Sequence, residues 1–151
     1  MRTYLVVIDN SDEARLALRF AARRAQKTGS AVMLLAVIPP QDFVAFGAVA
    51  ATMADEARQE AHAIVEQAAA TVLAENGLTA AIEVHEGRPA EIVANIIDEN
   101  REIGALVLGA AAGNDPGPLV AHFAGSVAGT LPCPVMIVPG SLSIADLDRL
   151  S

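Results

Sequence analysis

The chain has 151 residues, a length that suits one domain, and it is 53% hydrophobic but only 3% aromatic, so Ala, Val, Leu and Ile must build the core in close layers. A formal charge of −8 opposes phosphate backbones and anionic membranes, which select Lys and Arg clusters, so neither nucleic acid nor membrane is expected as a partner. The longest apolar run, residues 31–40, falls far short of the ~20 residues needed to cross a bilayer.

Residues 4–8 are mostly aliphatic and end at Asp9, which predicts a first strand. Asn10, Ser11, Asp12 and Glu13 then supply side-chain acceptors and negative charge for a helix start. Leu16, Ala17, Phe20 and Ala21 form an apolar stripe on this first helix, Arg24 and Lys27 make its last turn cationic, and Gly29 stops it. Residues 31–38 read as a second buried strand ended by Pro39 and Pro40. Residues 43–53 are apolar on every side and lack a clean period, so they are expected to be a lid, an oligomer contact or an extension of the next helix.

A second helix is predicted over residues 55–76, with Ala61, Ile64, Val65, Ala68, Val72 and Leu73 on one face and Gly77 at its end. Residues 79–85 alternate as an edge strand does. Pro89 opens a third helix that turns Ile92, Val93, Ile96 and Ile97 inward. Residues 105–108 are a fourth strand, residues 126–131 a short fourth helix opened by Gly125 and Ser126, and residues 135–138 a fifth strand. The pattern divides into a domain over 1–140 and a tail over 141–151 whose Leu142, Ile144, Leu147 and Leu150 suffice for a docking turn. Strands alternating with helices predict an α/β three-layer sandwich around a parallel sheet.

The strand before Gly109, the glycine-rich loop after it and the turn at Gly125-Ser126 have the layout of a phosphate cradle, in which glycines allow close backbone approach to an anion. The loop contains no Lys or Arg, and it contributes Asp115 together with Pro116 and Pro118, which have no N–H to donate. His62, His85 and His122 lie in different elements without metal-site spacing; His122 precedes Gly125 closely enough to reach a bound phosphate. No catalytic or metal-binding set stands out, so a dedicated enzyme is not expected. Cys133, the single cysteine, sits between Pro132 and Pro134 and reads as an inert buried thiol. Residues 1–4 lead directly into the first strand with no room for a leader, so a cytoplasmic location is expected.

The segments VVIDNSDEARLAL, AVIPP, EGRPAEIV, LVLGA and GSVAGTLPCPVMIV, in this order, resemble the universal stress protein family across nearly the whole chain. The resemblance implies a five-stranded parallel sheet in the order 3-2-1-4-5, of the adenine nucleotide alpha hydrolase-like type, in a homodimer joined through strand five. The exposed aliphatic edge of residues 135–138 agrees with such pairing. Some members bind ATP, so ATP or AMP is an implied ligand, with Mg2+ only alongside the nucleotide. The matching positions are Asp9 for the nucleoside, Val37 for adenine, and Gly109, Gly113, Gly125 and Ser126 for ribose and phosphates.

Three of these have a plainer role as well: Asp9 as a turn cap, Val37 as core, Ser126 as a helix cap. Family members carry glycine, two residues, glycine, nine residues, then glycine with Ser or Thr. Here sixteen positions separate Gly109 from Gly125, three more than that pattern, and Asp115 stands where the inner glycine belongs. Gly113 or Gly117 can stand in for it only if the enlarged loop folds back. Two functions are therefore expected to compete: a stress-response module with a degenerate adenine-nucleotide site, and a nucleotide-free module that engages a protein partner. Slow ATP hydrolysis is a weaker third, with no identifiable base.

Overall fold

The computed structural model describes residues 2–40 and 48–151. Five parallel strands, β1 (Thr3–Val7), β2 (Ala31–Ile38), β3 (Ala81–Glu86), β4 (Ile103–Ala110) and β5 (Val135–Pro139), form one sheet in the order β3-β2-β1-β4-β5. Helices α1 (Asp12–Thr28) and α2 (Ala48–Asn76) cover one face, joined by α5 (Ile144–Leu150). Helices α3 (Pro89–Glu99) and α4 (Pro118–Phe123) cover the other. Central strands buried on both sides explain why β1, β2 and β4 are near-continuous runs of Leu, Val and Ile. The order 3-2-1-4-5 follows from which strands pair, with Leu5 opposite Leu106 and Val6 opposite Val107 across β1 and β4.

Small side chains set the spacing of the layers. Ala17, Ala21 and Ala25 recur every four residues on α1 and are fully buried, so the helix lies close against the sheet. Ser11 caps this helix, its Oγ accepting from the Ala14 N–H at 3.2 Å, and Gly29 ends it in the left-handed region. Phe123, the largest fully buried side chain, fills the opposite layer with Val93, Ile96, Leu106 and Val120.

Three expectations from the sequence need correction. Helix α2 begins at Ala48, not at Asp55, so residues 48–53 extend it; residues 43–47 lie outside the described residues. Leu73 is 56% exposed, one position off the buried row of Ala61, Val65, Ala68 and Val72. The fourth helix runs over Pro118–Phe123, not 126–131. Pro118 at the first helical position is preset for a helix, and Val120 and Phe123, three apart, bury the same face. Residues 124–127 form a turn and Ala128–Thr130 a single 3-10 turn, so Ser126 caps nothing.

The tail docks as a helix. Ser143 caps α5 by accepting from the Asp146 N–H at 3.1 Å, and Leu147 is fully buried against the α1 layer. Arg19 donates from Nε and Nη2 to the two Asp148 carboxylate oxygens at 2.7 and 2.9 Å, while Arg23 Nε donates to Ser151 Oγ at 2.7 Å. These two-pronged bonds, ahead of the charge of Arg19, hold the Asp148 carboxyl below its ordinary value and raise the Arg19 guanidinium. Among the described residues, no helix is long and apolar enough to cross a membrane.

Candidate functional site

Reversal of strand order between β1 and β4 sends the chain from β1 to α1 on one face and from β4 to α4 on the other. The connections part, and a crevice opens at the C-terminal ends of the two strands. Its volume is about 380 Å³. Val7, Ile8, Val37 and Leu108 supply strand-end walls, and Asp9, Ser11, Glu13 and Ala14 the first turns toward α1. Pro39, Pro89, Gly109 and the run 116–120 complete the lining.

Of the residues singled out in the sequence, the fold brings Asp9, Val37 and Gly109 to this one crevice, from the ends of three different strands. Gly113, Gly125 and Ser126 are not among the residues lining it. Gly113 is exposed in the loop after β4, and Gly125 and Ser126 are exposed in the turn after α4.

Asp9 serves the local turn. Its Oδ1 accepts from the Ser11 N–H at 2.9 Å and from the Ser11 hydroxyl, while the side chain remains exposed at the crevice rim. The two roles weighed for it are compatible, because a carboxylate has a second oxygen to offer.

Gly109 has a steric reason to be glycine. A Cβ there would stand 2.2 Å from the Glu13 carbonyl oxygen, so a side chain at this point is incompatible with α1 packed on β4. The family-like glycine is therefore accounted for by helix-to-strand packing before any ligand is considered.

The loop after β4 bonds two of its donors to itself. Ala111 N–H donates to Pro116 O at 3.2 Å, and Gly117 N–H donates to Asp115 Oδ1 at 3.0 Å. Asp115 thus closes a turn onto the residue two ahead, an ordinary use of Asp in a loop. Gly117, at φ +103°, takes a backbone shape that side chains disfavour and delivers Pro118 to the start of α4. Gly125 N–H donates to His122 O at 3.4 Å. His122 is exposed, its ring meeting Phe123 edge-on at 4.9 Å between centroids, and does not line the crevice.

Reading the sequence missed the wall formed by residues 116–120, together with Pro89 and Glu13. The signal for the first was present: Gly117 followed by Pro118 marks a helix start. Elsewhere, Cys133 is half-buried, and that burial pushes its thiol up from the ordinary value. Among the described residues no group of His, Cys, Asp and Glu has the makings of a metal site.

Known proteins share this arrangement. UspA from Lactobacillus plantarum matches the fold with a TM-score of 0.71 at 22% identity, over 91% of this chain and 97% of its own. A universal stress protein from Archaeoglobus fulgidus in complex with dAMP gives 0.63 at 20% identity, over 91% and 97%. A member from Arabidopsis thaliana with AMP bound gives 0.67 at 14% identity, over 97% and 95%. Such identities establish likeness of fold. No curated protein sequence matches the chain. The model of the Universal stress protein family matches residues 1–139, and on that match the chain belongs to the universal stress protein family.

Proposed function

We propose that this chain is a homodimeric stress-response module whose crevice at the ends of β1 and β4 receives the adenine nucleoside of a nucleotide such as AMP or ATP. The observation that supports it is the meeting of Asp9, Val37 and Gly109 in one opening of about 380 Å³, a size typical of small-molecule sites. Apolar walls from Val7, Val37, Leu108 and Leu119 suit a base, and the exposed Asp9 carboxylate at the rim suits ribose hydroxyls. Relatives in this fold that hold AMP or dAMP lend further support. The protein acts in the cytoplasm and as a binder, with Mg2+ entering only with nucleotide.

A second reading is favoured by one observation. Residues 116–118 form part of the crevice wall and present no free N–H to it, which suits a scaffold that dispenses with nucleotide and engages a protein partner.

Purified protein separates the two. With one Tyr and no Trp the chain absorbs weakly at 280 nm, so a co-purified adenine nucleotide dominates the ultraviolet spectrum and is identified after acid extraction. Thermal melting with adenosine, AMP or ATP completes the test, since a ligand at a hundred times its Kd adds about 2.7 kcal/mol of stability. A clean spectrum with no melting shift from any of the three would discard the nucleotide reading in favour of the interaction module.

A further inference from the structure

We infer that the crevice selects against phosphate: it takes the uncharged adenine nucleoside in preference to AMP, and AMP in preference to ATP. This deepens, and rests on, the reading of the crevice as an adenine site. Charge is the first ground. The ionisable residues lining the opening are Asp9 and Glu13, both acids, and among the described residues no Lys or Arg lines it. Residues 41–47 contain no Lys or Arg either. The nearest cations in sequence, Arg15 and Arg88, are not among the residues lining it. Arg15 pairs with Asp12 at 3.1 Å and donates to Asn10 at 3.1 Å, and Arg88 lies 3.5 Å from Glu91.

Hydrogen-bond supply is the second ground. A phosphate needs donors to replace its water, and the loop residues that line the crevice offer few. Pro116 and Pro118 have no N–H, and those of Ala111, Gly117 and Gly125 are already bonded within the loop and turn. Leu119 and Val120 are the amides that remain on this wall, at the start of a helix only six residues long, while Asp9 and Glu13 keep theirs on the α1 side beside their own carboxylates. The apolar strand ends are untouched by these losses. Base and sugar keep their surface while each added phosphate meets carboxylates and missing donors.

Calorimetric titration of the full chain with adenosine, AMP and ATP, with and without Mg2+, at low and high salt, tests the order. Adenosine is expected to bind more tightly than ATP by about tenfold or more at low ionic strength, the gap shrinking near 0.5 M salt as the carboxylates are screened. Glu13→Gln removes the charge of one lining residue and is expected to narrow the adenosine-to-ATP ratio by roughly threefold to tenfold at low salt. ATP binding as tightly as adenosine, with or without Mg2+, overturns the inference and leaves the adenine site standing. An unchanged ratio in Glu13→Gln overturns the electrostatic ground, and no binding of any of the three overturns the adenine reading and the inference together.

Discussion

Gly109→Ala separates the architecture of the crevice from its ligand. The added Cβ would lie 2.2 Å from the Glu13 carbonyl oxygen, 2.5 Å from its carbonyl carbon and 3.0 Å from its Cβ. Two of these three are backbone atoms in the first turn of α1, which cannot swing aside as a side chain does. Relief requires α1 to lift from β4, disturbing the fully buried Ala17, Ala21 and Val107 in the same layer. Overpacking of this kind costs typically about 1–3 kcal/mol, and the rigid obstacle points to the upper end, about 3 kcal/mol. For a chain of this size each kcal/mol moves Tm by roughly 2–4 °C, so Gly109→Ala is expected to melt roughly 6–12 °C lower.

Scanning calorimetry or thermal circular dichroism without nucleotide is the assay. Gly129→Ala is the control, because its Cβ meets nothing within 4 Å and its backbone is not left-handed. A Gly109→Ala protein that melts with the wild type in the absence of ligand would refute the packing explanation and return Gly109 to the ligand's account.

Three further outcomes are expected. Leu147→Ala, which empties a fully buried position, should cost about 2–5 kcal/mol and loosen α5, read as a lower Tm and faster amide exchange in α1 and α5. Asp148→Asn should lower stability at neutral pH. Because the folded carboxyl titrates below its ordinary value, the difference from wild type is full above the usual carboxylate range, declines as pH falls through that range and closes once pH has passed the depressed value; urea midpoints from pH 7 to pH 2 read it, and a pH-independent difference would count against the ion pair. Ile137→Lys places a charge on the edge strand β5, where Ile137 is 40% exposed, and should convert a dimeric mass to a monomeric one by light scattering at micromolar concentration. A wild-type protein that is already monomeric there would remove the edge-pairing proposal.

Much of the scaffold was legible because its signals are local. Aliphatic runs ending at Asp9, Pro39 and Gly109 marked β1, β2 and β4, while Ser11, Gly29, Gly77 and Pro89 marked helix ends through the hydrogen-bonding and conformational limits of their own residues. The same kind of signal, Gly117-Pro118, marks the start of α4, whereas Gly125-Ser126 is followed only by a turn and a single 3-10 turn. The start of α2 at Ala48 was obscured because an all-apolar stretch has no period to read.

Residue order alone therefore determined the alternation of strands and helices, the alanine-built layers, the acidic balance and the absence of Lys and Arg from the loop after β4. Which of the motif residues meet was decided only by folding. Asp9, Val37 and Gly109 lie up to a hundred positions apart and share a crevice because β1 sits between β2 and β4. Gly125 and Ser126 fall outside it because residues 111–117 close on themselves and start α4 early. Proximity across a sheet depends on strand pairing and loop closure, free energies summed over many distant contacts that no local pattern carries.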